Sequence, residues 1–410
     1  MNAAIVVLLT GLVGATFGFG IYLFAQLVPD MRASLGFDLS WVGAITASGQ
    51  CGYLAAALLA AWLTPRIGGG RVIFVSGVVC AVALMLIPLT DNILLIGALL
   101  TLLAATAATI FVPMVDVVSK VVSWRYRGMA MGLVSSGTSY GVFVNSLLVP
   151  VYAPQGEWRM VWWWVGVLTV VMSVMVLWTF KRSGLFGNEV VEPAPVTIAP
   201  ASFKRLGFLD WIKPWVLIVW GMNFLMGFST FPFQNYLSSY LRSELGFDVS
   251  YTAQIWAAIG FVGMFAGLAV GMLSDRIGLR TTMVLVFISV LLAALIFVFQ
   301  PAGYWPLVAG VLFSAAFYPI FGLIPAYVSK LATSASMAVA IFAIANVMQG
   351  TGGMLGNYGA GLLASHSGSF AGVYGVIGVV AVMLVVLTLM LPGEARHAAV
   401  ETAQPCTSSL

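Results

Sequence analysis

Between two long apolar runs the chain carries Gly271-Met272-Leu273-Ser274-Asp275-Arg276-Ile277-Gly278-Leu279-Arg280, which sets one carboxylate beside two guanidinium groups. A carboxylate so placed can accept hydrogen bonds from helix N-terminal amides and pair with a nearby arginine; Gly271 would let two helices approach closely, and Gly278 permits a tight turn. That chemistry latches helices together, and the alternative is a turn whose charges only fix topology. An earlier copy, Ala61 to Arg71, keeps Arg66, Gly68 and Arg71 but has Pro65 where the acid would stand. Asp116 is the one acid inside an apolar run, four residues before Lys120 on the same helical face. It reads as a local ion pair, as a substitute acid for the first latch, or as a proton-carrying group.

Other chemistries find no support. No Ser/His/Asp, Cys/His or paired-carboxylate set lies at a common depth, which argues against an enzyme, and no G-x-x-x-x-G-K-[ST] loop argues for an ATP-driven pump. Cys51, Cys80 and Cys406 have no paired spacing, so neither a disulfide framework, a metal site nor another cofactor is expected.

The elements that must hold these residues are membrane spans. Hydrophobic residues make up 61% of the chain, charged residues only 7%, and mean hydropathy is +1.06. Crossing roughly 30 Å of hydrocarbon takes about 20 apolar residues in a helix. Uninterrupted runs without period-2 alternation favour helices over a barrel. Twelve such runs are read, at about 3–29, 40–62, 72–90, 93–118, 129–152, 159–181, 214–241, 251–273, 281–300, 306–329, 336–364 and 371–391. The expected fold is an all-α polytopic membrane protein with six spans in 1–181 and six in 214–391. Residues 182–213 form a linker between them and 392–410 a tail.

Even parity puts both termini on one side. Of the 17 lysines and arginines only Arg32, Arg159 and Arg242 fall on the other, so the termini and linker are expected in the cytoplasm of a bacterial-type inner membrane. The net charge of +4 then reflects orientation and calls for no nucleic-acid partner. Within the linker, Glu189 to Ala201 reads as flexible, and Phe203 to Lys213 either as a helix on the inner leaflet or as an irregular lead-in.

Leu35-Gly36-Phe37-Asp38 returns 210 residues later as Leu245-Gly246-Phe247-Asp248, and Arg66-Ile67-Gly68 as Arg276-Ile277-Gly278. Aligned without a gap, 13 of the 34 positions from Leu35 to Gly68 are identical to those from Leu245 to Gly278. A repeat of this length in an apolar chain points to two related membrane bundles. With that duplication, Gly271 to Arg280 resembles the G-x-L-[AS]-D-R-x-G-x-[RK] loop of the major facilitator superfamily. Arg127-Gly128-Met129-Ala130-Met131-Gly132 and Glu157-Trp158-Arg159 resemble further loops of that family. The resemblance covers essentially the whole chain and implies twelve helices in two pseudo-symmetric six-helix bundles. It also implies alternating access, with Gly271, Asp275, Arg276, Gly278 and Arg280 latching the outward-facing state beside a weaker Arg66, Gly68 and Arg71 copy.

The resemblance further implies a solute site near the midplane. In the first half the candidates are Tyr22, Gln26, Gln50, Tyr140 and Asn145; in the second, Asn223, Gln234, Asn235, Trp256, Tyr318, Asn346 and Gln349. Any of these could instead bond a neighbouring helix. Glycines 350, 352, 353, 356, 359 and 361 suit either close packing or bending of the eleventh span. No cation lies well inside a span, so a neutral or partly apolar solute suits the lining better than an anion. A monomeric carrier of a small organic solute in a lipid bilayer is the expectation. A monocarboxylate or organic-anion proton symporter and a multidrug-type antiporter are the alternatives.

Overall fold

The computed structural model describes residues 2–123, 126–186, 213–332 and 335–393. The flexible stretch and most of the inner-leaflet segment expected between the halves lie outside them, as do Arg125, Arg396 and Cys406. The described chain is helical from end to end. Ten helical stretches among these residues are long and apolar enough to cross a membrane.

The first joins α1 (Asn2–Val13), a nine-residue π-helix (Gly14–Tyr22) and α2 (Leu23–Leu35). It outruns the expected boundary at Pro29 because proline removes only one N–H from the ladder. It stops at Gly36, whose φ of +71° bends the chain back. Then follow α3 (Leu39–Ile67), α4 (Gly69–Leu86), α5 (Ile93–Val121), α6 (Arg127–Ser135), α7 (Gly137–Tyr152) and α8 (Trp158–Arg182). The second half comprises α9 (Pro214–Asn235), α10 (Leu237–Ser239), a π-helix (Tyr240–Glu244), α11 (Val249–Ile277), α12 (Leu279–Val298), α13 (Trp305–Leu331), α14 (Ala335–Ser367) and α15 (Ala371–Met390).

Two expected spans fall outside the ten. The fifth is broken at Ser136 into α6 and α7, and the eleventh corresponds to α14, which is 33 residues long.

Successive helices run back and forth between a terminal face, where Asn2, Ile67 and Ile277 lie, and a far face bearing Leu35, Tyr152 and Glu244. Both conserved-looking turns of the repeat rest on glycine geometry. Gly36 and Gly246 have φ of +71° and +72°, and Gly68 and Gly278 +88° and +87°, a region only glycine enters without strain. The identity of these short runs across 210 residues is therefore a backbone requirement.

Within each half, glycines set the closest approaches. A Cβ on Gly141 of α7 would lie 2.3 Å from the carbonyl oxygen of Gly14, and one on Gly137 would lie 2.2 Å from that of Thr10. In the second half a Cβ on Gly352 or Gly356 of α14 would lie 1.9 Å or 2.2 Å from the carbonyl oxygens of Phe224 and Phe228 on α9. Carbonyls four residues apart on one helix thus seat on glycines four residues apart on the next, the packing that small residues permit in lipid.

On the far face Glu244 accepts from Ser369 Oγ at 2.7 Å and from Phe370 N at 2.6 Å, closing the start of α15. Glu244→Ala strips an acceptor from these donors and is expected to cost about 1–2 kcal/mol. A lowered thermal unfolding midpoint in detergent is the check, and an unchanged midpoint would refute the capping role.

Candidate functional site

The halves meet along α3 with α14 and along α7 with α11. On the far side of the midplane they touch. A Cβ on Gly43 would be 3.0 Å from the carbonyl oxygen of Asn357, and one on Gly361 would be 3.1 Å from that of Leu39. Cys51 Sγ lies 3.2 Å from Met354 Sδ, and Gly350 packs on Leu54. Across the other seam, Gly260 abuts the backbone of Phe143 and Gly263 abuts Ser139.

Toward the terminal face the same helix faces separate. Gly267 and Gly271 continue the stripe begun by Gly260 and Gly263 at helical spacing, yet nothing lies within 4 Å of a Cβ built on either. Leu58, one turn beyond Leu54, is 73% exposed, and Val347, one turn from Gly350, is also exposed. The cleft therefore opens on the terminal face. The close approach expected at Gly271 is absent in this conformation because the halves have already parted there.

At the depth where contact gives way to opening lies a set of uncharged polar groups from both halves. The Tyr318 ring and Ser139 Oγ both press on Gly263, and neither hydroxyl has a hydrogen-bond partner elsewhere. Tyr22, at the end of the first π-helix, lies within electrostatic reach of Tyr318 and of Tyr53. Asn145 Nδ2 donates to the Gly18 carbonyl at 2.7 Å, inside that π-helix, and leaves its own Oδ1 unsatisfied. Gln26 makes one long bond, 3.5 Å to the Val142 carbonyl, and its Oε1 is also free. Elsewhere in the second half, Gln234 is fully buried with both amide atoms unpartnered, and Gln349 has an unpartnered Nε2. Buried polar groups are ordinarily bonded, so the open hydroxyls of Tyr318 and Ser139, one from each half, are suited to a polar guest.

The remaining sequence candidates have other neighbours. Asn223 and Asn346 each donate to a carbonyl one turn back on their own helix, at 2.8 Å and 2.9 Å. Asn235 bonds Asn357 Oδ1 at 2.8 Å, tying α9 to α14, and Trp256 Nε1 bonds Ser238 Oγ at 2.9 Å. Gln50 is half-buried and Tyr140 is 40% exposed. Ser139 is not among the sequence candidates, because serine in a glycine-rich helix carries no pattern of its own. Its spacing of two from Gly137 and Gly141 was the available signal.

The loop residues lie apart from this cluster, on the terminal face. Asp275 and Arg276 are exposed, with no ion pair involving Asp275 among the described residues. Arg280 reaches back to the Thr388 carbonyl at 3.3 Å and to that of Leu389 at the end of α15. Arg66 donates to the Trp62 carbonyl at 2.7 Å and stacks 3.8 Å over its ring. Arg71 stands in the first turn of α4. Asp116 pairs with Lys120 at 3.0 Å, and its carboxylate packs against Gly69 at the start of α4, beside the first-half loop. An anion there is favoured by the amides of the helix N-terminus.

Comparison with known proteins gives a consistent picture. Residues 10–356 match the model of the Major Facilitator Superfamily. A cis,cis-muconate transport protein of Acinetobacter baylyi is 20% identical over 268 residues, covering 65% of this chain and 64% of that protein. A probable sulfoacetate transporter of Cupriavidus necator is 23% identical over 275 residues, covering 62% and 60%. The chain thus matches less than two thirds of the length of either relative. Among solved structures, a nucleoside transporter superposes with a TM-score of 0.71 at 13% identity, covering 94% of this chain and 99% of that one. A bacterial homolog of the human lysosomal transporter Spinster, in an inward-facing and occupied conformation, gives 0.70 at 12%, covering 98% and 97%.

Proposed function

Since the chain belongs to the Major Facilitator Superfamily, we propose that it is a secondary or facilitative transporter, and no enzyme, that moves a small organic solute by alternating access. One observation carries this reading: helix faces that touch beyond the midplane separate toward the terminal face, around a two-sided cluster of unpartnered polar groups. The positive-inside distribution makes the terminal face cytoplasmic, in the inner membrane of a bacterium. On that basis the conformation is inward-facing. The two bundles are residues 1–181 and 214–391, joined by the linker 182–213 and followed by the tail 392–410. One chain holds both halves of the site and works as a monomer in the bilayer.

The solute is held by hydroxyl and amide groups. Among the described residues every lysine, arginine and histidine lies near a helix end, so no cation is available at the cluster. A neutral or partly apolar solute fits such a lining. A second reading, an organic acid, is favoured by the two relatives, a muconate transport protein and a probable sulfoacetate transporter. Its carboxylate would accept from Tyr318 and Ser139. A thermal-shift screen of purified protein with neutral metabolites in one arm and carboxylates in the other separates the readings, since a ligand stabilises the state it binds. Counterflow in proteoliposomes then tests transport of any hit, and absence of counterflow for every stabilising compound would refute the carrier reading.

Asp275, Arg276 and Arg280 form the latch of the opposite, outward-facing state, which accounts for the unpaired Asp275 here. Asp275→Asn is expected to slow counterflow about tenfold with little change in solute affinity. Loss of binding in a folded variant would sink the assignment.

A further inference from the structure

We propose that Asp30 and Arg242 form the gate of the far face, a pair that must open in every transport cycle; the proposal rests on the alternating-access reading. Arg242, in the π-helix Tyr240–Glu244, grips Asp30 of α2 with both terminal nitrogens, one bond measuring 2.7 Å. This fork-to-carboxylate geometry is the strong form of a charge-assisted bond. The Arg242 side chain is 17% exposed and that of Asp30 only 8%. The other two ion pairs among the described residues join Lys120 to Asp116 within α5 and Arg159 to Asp91 within the first half. Asp30 to Arg242 is thus the one ion pair among them that crosses between the halves.

Its position suits a gate. It stands at the far-face end of α2 and at that of the helical run from α9 to the π-helix Tyr240–Glu244, the side on which the halves touch, and away from the terminal-face opening. Parting the halves on the far face cannot leave it intact. A pair that is desolvated when shut and hydrated when open contributes most in the shut state, because a low dielectric strengthens it and water weakens it. Water already has a way in: Pro29 and Pro154 of the first half and Phe247 and Val249 of the second enclose a depression of about 450 Å3 that reaches Arg242.

The duplication explains why the gate occurs once. The 210-residue repeat superposes Arg32 on Arg242 and Asp30 on Tyr240. Arg32 has no carboxylate waiting at the matching place and donates instead to the Phe37 carbonyl of its own half at 3.2 Å. Tyr240 donates to the Phe297 carbonyl at 2.5 Å. The arginine is retained in both copies and the acid in one, so the far face closes on a single off-axis bridge.

The test needs no solute. Nitroxide labels on cysteines replacing Gln155 and Ala302, in far-face loops of the two halves, report the distance across the mouth by pulsed electron paramagnetic resonance in proteoliposomes, with the native cysteines changed to alanine. The parent is expected to show one short distance. Asp30→Asn keeps the side-chain shape, and Arg242→Lys keeps the charge but not the fork. Each should add a longer population, larger for Asp30→Asn, and the exchange Asp30→Arg with Arg242→Asp should restore the short one. Single variants that elute as folded protein with the parental distribution would overturn the gate, as would a charge exchange that adds to the single effects instead of cancelling them. Failure of counterflow would strike the transporter reading and leave these distances standing.

Discussion

Gly356→Leu is expected to yield no folded protein. A Cβ at this position falls 2.2 Å from the Phe228 carbonyl oxygen, well inside van der Waals contact, and the obstructing atom belongs to a helix backbone that cannot rotate away as a side chain would. Relief requires α9 and α14 to separate, which loses the rest of their contact and the Asn235 to Asn357 bond. Overpacking a core costs about 1–3 kcal/mol where side chains can shift, and more where backbones must. The same argument applies to Gly141→Leu, at 2.3 Å from the Gly14 carbonyl oxygen. Size-exclusion profiles of fluorescently tagged variants read this directly, with Gly359→Leu, where nothing lies within 4 Å, as the tolerant control. A normal monodisperse peak for Gly356→Leu would show that this packing is not required.

The double change Tyr318→Phe with Ser139→Ala should weaken the apparent affinity for the solute about ten- to a hundredfold while leaving folding intact. The two hydroxyls face each other and have no other protein partner, so removing both leaves no polar group orphaned. A bound solute that uses both would lose about 0.5–1.5 kcal/mol per bond, or more if its acceptor is charged. Counterflow as a function of solute concentration measures the change. Unaltered half-saturation in a folded double variant would move the site elsewhere, towards Gln234 and Gln349.

Much of the architecture was legible in the amino-acid sequence, and for identifiable reasons. Spans are legible because lipid forces apolar composition on them, and the turns at Gly36, Gly68, Gly246 and Gly278 because only glycine tolerates their φ. The π-helix at Gly14–Tyr22 left no such trace: its residues suit an ordinary helix, and the extra turn width is stabilised from outside, by Asn145 reaching the Gly18 carbonyl. The site was legible only in part. An amide such as Asn223 can satisfy itself one turn back or face a cleft, and composition does not distinguish these outcomes. Asp30 is not legible as half of a pair, because Pro29 suggests a helix end and its partner lies 212 residues away. Which faces of α3, α7, α11 and α14 meet is a property of tertiary packing, and no local period announces it.

The stripe of Gly260, Gly263, Gly267 and Gly271 on α11 also bears on how fast the two conformations exchange. Closing the terminal side would press Gly267 and Gly271 onto α6, since Gly260 already meets Phe143 and Gly263 meets Ser139 near the start of α7. Glycine has no rotamers to freeze, whereas each leucine in their place would surrender about 0.5–1 kcal/mol of side-chain entropy on burial. Nor would any side chain have to unlock from one set of neighbours before locking into another. Little of the activation barrier should then come from repacking, and the temperature dependence of the exchange rate should report chiefly the polar contacts broken at the two mouths.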